Sequence, residues 1–225
     1  MKINLKYLLG VCCMSLVLLA CKKTTPPNFH FEYFGLEEGR YVIYDVVEIT
    51  HDADLDQHDT LRYQIKTLWS IVYEDNEGRP GREFHIFRRN ALGEAWALTD
   101  VWYGLYDGIR AELVEENVRR VKLVFAPSIS KEWDANAYNM EDVLDCYYRD
   151  IHGDTVLNGV SFDSTLVVEQ ASYGNLIDSV RMYEMYAKHI GMIYKHVKDN
   201  VYQIGNPEVS SGKELYMKYV SSGIE

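Results

Sequence analysis

Residues 60–69 read TLRYQIKTLW, with Leu61, Tyr63 and Ile65 alternating with Arg62, Gln64 and Lys66. An extended backbone points successive side chains to opposite sides. A period of two with one polar face therefore marks a half-buried β-strand. Runs of the same kind recur at residues 40–50, 83–88, 95–103, 110–115, 118–125, 143–152, 166–170, 180–188, 192–198 and 214–220. Between these eleven segments lie residues suited to tight turns, among them Asn76-Glu77-Gly78, Tyr106-Asp107-Gly108, Asn158-Gly159 and Gly205-Asn206-Pro207. Pro80, Pro127 and Pro207 fall in the breaks, and Pro26 and Pro27 precede the first strand, as ladders that need every N–H require. Residues 139–147 have room for a helical turn or two. Strands at hairpin spacing predict an all-β fold, antiparallel, built either as a barrel or as a two-layer sandwich.

A segment of another kind stands ahead of this domain. Lys2 and Lys6 open it without an acid, and residues 7–20 (YLLGVCCMSLVLLA) form an apolar run of 14. A charged start, a short apolar core and a small residue at the end are the parts of a secretory signal. A membrane-crossing helix needs about 20 apolar residues, and Lys22, Lys23, Pro26 and Pro27 block any extension. The run ends Leu18-Leu19-Ala20-Cys21, which resembles the lipobox cut by bacterial lipoprotein signal peptidase. The resemblance implies that residues 1–20 are removed as a signal peptide and that Cys21 carries a diacylglyceryl thioether and an acylated amino group. Each buried CH₂ contributes ~0.8 kcal/mol, so several acyl chains anchor stably where one does not. Residues 21–28 then form a polar linker stiffened by its proline pair, and residues 29–225 a single domain. An ordinary secreted protein with a coincidental cysteine is the alternative.

Loss of Lys2 and Lys6 with the signal takes the formal charge from −11 to −13. A surface so acidic argues against nucleic acid and anionic lipid headgroups as partners. Of the four cysteines, Cys12 and Cys13 leave with the signal and Cys21 is spent on lipid. Cys146 remains alone, so the mature chain has no internal disulfide. Its setting in a strand-like run marks it as a small buried filler rather than a nucleophile.

Chemical motifs are few. In residues 51–59 (HDADLDQHD) Asp52, Asp54 and Asp56 alternate like the opening of a calcium loop, but Gln57 stands where that loop needs Gly and Tyr63 where it needs Glu. A charged turn between two strands accounts for the same residues, and no metal or other cofactor is expected. Residues 205–213 (GNPEVSSGK) imitate a phosphate loop with the wrong glycine spacing, followed by Glu214 rather than Ser or Thr. No GxSxG elbow or HExxH pair occurs. No catalytic residue is assigned, although an acid pair converging only in the folded chain would escape such a reading. The aromatics, 18 Tyr and 4 Trp among them, suit strand packing, and equally suit an apolar ligand cavity or a partner-binding face.

Four stretches are similar to uncharacterised outer-membrane lipoproteins of Bacteroidetes-type bacteria. Tyr33-Phe34-Gly35-Leu36-Glu37-Glu38-Gly39-Arg40-Tyr41-Val42-Ile43-Tyr44 resembles their "YFPLEVGRYWVY" opening, with Gly35 in place of Pro and Val42-Ile43 in place of Trp-Val. Trp133-Asp134-Ala135-Asn136-Ala137-Tyr138-Asn139 resembles "WDGNAYN", and Phe162-Asp163-Ser164-Thr165 resembles "FDST". Tyr186-Ala187-Lys188-His189-Ile190-Gly191-Met192-Ile193-Tyr194-Lys195 resembles "YAKNIGLIYK", in which His189-Ile190-Gly191 reads as a tight turn. The resemblance implies an anchored β domain at the outer membrane and no known catalytic residue. Lys22-Lys23-Thr24 after Cys21, with no acid before Glu32, favours the periplasmic face. The expected role is a non-catalytic envelope module that binds an apolar small ligand or another envelope protein. An envelope hydrolase using carboxylates and a purely structural lipoprotein are the alternatives.

Overall fold

The computed structural model describes residues 28–55 and 57–225; the signal segment, Cys21 and Asp56 lie outside them. The strands are β1 (Arg40–Asp52), β2 (Gln57–Glu74), β3 (Pro80–Arg89), β4 (Ala97–Tyr106), β5 (Arg110–Glu115) and β6 (Val118–Val124), then β7 (Glu132–Asp134), β8 (Asp145–Leu157), β9 (Val160–Gly174), β10 (Asp178–Ala187), β11 (Gly191–Tyr202) and β12 (Val209–Ile224). A single 3-10 turn, Phe31–Tyr33, precedes them. The eleven expected strands are all present, most of them longer than their alternating stretch because hairpin partners carry the ladder on past it. Pro80 opens β3 rather than lying in the break before it, a position where no ladder N–H is needed.

Two expectations fail locally. The three-residue β7 is too short to show a period. Residues 139–147 form no helix, because short polar side chains take up the backbone groups a helix would use. Asp134 Oδ1 accepts from the N–H of Asn136 (2.8 Å) and of Leu144 (2.9 Å), and Asn136 Nδ2 donates to the Asp142 carbonyl (2.6 Å).

All twelve strands join one antiparallel sheet in the order β6-β5-β4-β3-β2-β1-β12-β11-β10-β9-β8-β7. The chain thus makes two six-stranded meanders that meet where β1 pairs with β12. The sheet curls until its edges meet, so the barrel alternative holds and the sandwich does not. Along the seam, Val121 N–H donates to Ala135 O (2.9 Å) and Trp133 Nε1 to Val121 O (3.1 Å). The Tyr148 hydroxyl accepts from Val124 N–H (2.9 Å) and donates to Val124 O (2.7 Å). A nearly closed barrel leaves little free strand edge to pair with other chains.

The inward face is read from the register. Val42, Tyr44 and Val46 are buried and stand opposite Thr67, Ile65 and Tyr63. Along β2 the inward side chains become more exposed in order: Trp69 and Thr67 are buried, Ile65 and Tyr63 are half-buried, and Leu61 is 48% exposed. The interior is therefore sealed at the end where β1 starts and open at the other. The seal is the segment before β1. Tyr33 and Phe34 are 0% and 5% exposed within the main core, beside Trp69, Phe125 and Tyr148. Gly35 turns the chain at φ +68°, where a Cβ would stand 2.7 Å from Ile190 O.

Candidate functional site

Three of the stretches quoted for the family resemblance meet at this seal. Tyr33 Oη lies 2.7 Å from Ser164 Oγ and 2.8 Å from His152 Nδ1. His189 N–H donates to Glu32 O (2.8 Å), and Lys188 Nζ lies 3.4 Å from Glu32 Oε1. The fourth stretch, residues 133–139, forms the barrel seam described above. The first and last stretches along the chain also supply Phe34, Arg40, Tyr186 and Lys195 to the cavity above the plug.

Above the plug the barrel encloses a cavity of 220 Å³. Its wall is mainly apolar. Phe34, Trp69 and Phe84 pack in succession at ring-centroid separations of 5.4 and 4.1 Å, and Trp102 follows Phe84 at 6.4 Å. Gly104 makes room for this row, since a Cβ there would meet Trp69 Cη2 at 2.3 Å. Leu113, Ile86 and Met217 continue the wall. Of the four tryptophans, Trp69 and Trp102 thus line the cavity, Trp133 belongs to the seam and Trp96 lies under Arg89.

Set into this wall is a group of charges. Lys122 Nζ donates to Glu184 Oε1 (2.7 Å) and stands 3.6 Å from Glu115 Oε1. Lys195 Nζ lies 3.6 Å from the same Glu184 oxygen, and Tyr186 Oη donates to Glu184 Oε2 (2.6 Å). Lys122 is the extra residue of a β-bulge, because Ala111 pairs with Leu123 and Glu112 with Val121. Lys122 keeps the inward parity of Arg120, which stands opposite the cavity-lining Leu113, and the bulge lets its neighbour Leu123 pair with buried Ala111. Arg40 also reaches the cavity, with its guanidinium paired to Glu37.

The electrostatics are those of a settled ion pair. Burial alone would raise the Glu184 carboxyl, but Lys122, Lys195 and the Tyr186 hydroxyl outweigh it and hold it at about 2. Burial would lower Lys122, and Glu184 and Glu115 hold its ammonium well above the usual range instead. Tyr186, buried and beside Glu184, is pushed well above the ordinary phenol value. A general acid needs a carboxyl kept protonated near neutral pH, and Glu184 is driven the other way. The Trp102 indole N–H is buried without an acceptor and is closed to the cavity as well as to solvent. Buried N–H groups rarely stay unpaired.

The remaining sequence candidates lie elsewhere. Cys146 is 1% exposed, and burial, with Glu184 nearby, pushes its thiol up to about 12, so it is the inert filler expected. In the acidic turn Asp52 Oδ1 accepts from the N–H of Asp54 and Leu55, a local cap. Nearby, His51 Nδ1 lies 3.0 Å from His58 Nδ1, facing it across the β1–β2 pair. Among the described residues no group of three or more His, Cys, Asp or Glu is placed to hold a metal. Residues 205–213 span the β11–β12 turn and the start of β12, with no helix to receive a phosphate. On the outer wall Glu112 is satisfied by Arg110 (2.5 Å), Arg119 (2.6 Å) and Arg79 (3.4 Å), which pins the β2–β3 turn to β5.

The cavity charges were missed at the level of sequence, although a trace is there. Val180, Met182, Glu184 and Tyr186 share one parity, so an acid interrupts an otherwise apolar face. Its partner Lys122 lies 62 residues away, on a strand that only the closed barrel brings to face it.

No family model matches the chain, and no curated protein matches it. Among solved structures it is similar to a candidate lipoprotein from Parabacteroides distasonis, at 11% identity and a TM-score of 0.38, over 88% of this chain and 100% of that one.

Proposed function

We propose that this chain is a lipid-anchored envelope protein whose barrel binds a small, mainly apolar ligand. The cavity carries the reading: 220 Å³ of aromatic-walled space, sealed at one end and open at the other. An apolar cavity of ~150 Å³ already takes up benzene, so this one suits a single ring with a few further heavy atoms. The anchor at Cys21 and a place on the periplasmic face of the outer membrane belong to the same proposal and rest on the sequence of residues 1–24. Residues 31–34, soon after the linker in sequence, form the plug, so a tether at Cys21 would leave the open end facing away from it. Glu184, held ionised by two lysines, speaks against the hydrolase alternative.

Native mass spectrometry of the protein taken in detergent from its own cells tests the reading. The expected mass corresponds to an acylated chain starting at Cys21 plus a small adduct shed on collisional activation. A chain without an adduct, whose melting temperature is unmoved by millimolar small aromatics, would overturn it.

A protein partner is the second reading, and one observation favours it. Hairpin tips at the open end present Leu55, Leu92, Leu176 and Ile204 at 65–82% exposure.

A further inference from the structure

Resting on the protein-partner reading, and independent of what fills the cavity, we infer that the open end docks a protein surface that is apolar at its centre and ringed by lysine and arginine. The strands run as antiparallel meanders, so every second connection reaches the open end: residues 53–56, 90–96, 116–117, 135–144, 175–177 and 203–208. Five of these six present a large apolar side chain to water. Leu55, Leu92, Met140, Leu176 and Ile204 are 65–101% exposed. At the plugged end the connections present Ile109 and Ile129, at 61% and 54%. Exposed apolar side chains gathered at one end of a domain mark an interaction site.

Charge names the occupant. The six open-end connections hold seven acids and no Lys, Arg or His, whereas the five at the plugged end hold three acids and three Lys or Arg. Asp54, Glu94, Glu116, Asp142 and Glu208 are exposed and paired with no cation among the described residues; Glu141 is held by Arg120 (2.6 Å). Acids that stand this close to a contact act across it, since the Debye length is about 8 Å at physiological salt. They repel a second copy of this acidic chain and an anionic lipid surface. An uncharged lipid surface would cover the apolar tips but strip water from the acids without giving them a counter-charge, which is unfavourable. A cationic surround on an apolar protein surface satisfies both features and steers its approach.

The test uses the chain from residue 21 with Cys21→Ser, which needs no detergent, and three amphipathic helical peptides that share one apolar face. Their polar faces are built from Lys and Arg, from Ser and Gln, or from Glu. By fluorescence anisotropy the basic peptide binds at least tenfold tighter than the other two, and more weakly as salt is raised. Leu92→Ser/Leu176→Ser weakens it at least fivefold, and so does Asp54→Asn/Asp142→Asn/Glu208→Gln. Ile109→Ser/Ile129→Ser and Glu77→Gln/Asp154→Asn/Asp163→Asn, the matching changes at the plugged end, leave it within twofold. All of these positions are exposed, so the variants fold. Equal loss from the plugged-end changes would overturn the inference, because the attraction would then follow net charge and not the open end. Equal or tighter binding of the uncharged or acidic peptide, lost in Leu92→Ser/Leu176→Ser, would overturn the basic assignment and leave a protein partner at the open end standing. Binding of none of the peptides would remove both. Binding to phosphatidylcholine vesicles, or self-association in sedimentation, that Leu92→Ser/Leu176→Ser abolishes would give the surface to lipid or to a second copy and overturn the inference.

Discussion

Replacing Lys122 by Met removes the cation nearest Glu184 and leaves a carboxylate that is 1% exposed. Two stabilising contacts survive, Lys195 at 3.6 Å and the Tyr186 hydroxyl at 2.6 Å. Breaking a buried pair by removing one partner costs about 3–5 kcal/mol. With Lys195 retained, the low end applies, about 3 kcal/mol. A domain of this size loses roughly 2–4 °C per kcal/mol, so the melting temperature should fall by roughly 6–12 °C. Lys122→Met/Glu184→Gln should recover at least half of that loss, since Gln carries no charge and still accepts from Tyr186. The pH dependence has a definite sign. In the wild type the Glu184 carboxyl is depressed from 4.5 to about 2, so its contribution is present above pH 4.5 and is lost as pH falls toward 2. Without Lys122, burial raises the carboxyl, and the variant sheds its buried charge at a higher pH. The stability gap between variant and wild type therefore narrows as the solution is acidified. Denaturant melts of the three proteins across that range measure it. A Lys122→Met cost under about 1 kcal/mol, or no recovery in the double variant, would refute the account of a settled internal pair.

Further outcomes are expected. Gly35→Ala, at φ +68° and with its Cβ 2.7 Å from Ile190 O, should lose about 2 kcal/mol or more, read by thermal melting, because backbone lies on both sides of the contact. Tyr33→Phe deletes the hydroxyl shared by His152 and Ser164 and should cost about 1–2 kcal/mol on the same assay. Cys146, with its thiol at about 12, should resist a disulfide reagent at pH 8 until the protein is unfolded. A labelled fatty acid fed to the producing cells should mark the wild-type protein and leave Cys21→Ser unmarked; equal labelling of both would dismiss the anchor at Cys21.

Much of the architecture is legible along the chain because its causes are local. The alternation in residues 60–69 reports one wet and one dry face, and Asn158-Gly159, at φ 50° and 79°, supplies a tight turn wherever it stands. The signal-like segment and Cys21 likewise depend only on contiguous residues. What buries the dry face is not a local matter. The choice of barrel over sandwich came from β1 pairing with β12, across nearly the whole chain, and from Tyr148 bridging to Val124. The β7 strand exists because β8 receives it, not through any period of its own. The cavity is a further step removed. Glu184 reads in sequence as an acid out of place, and Trp102 as one aromatic among many. Only the curled sheet sets Glu184, Lys122, Lys195 and Glu115 around one space with the aromatic row beside them. Periodicity tells which side of a strand avoids water, whereas a site depends on which distant strands share that side, and that is decided when the barrel closes.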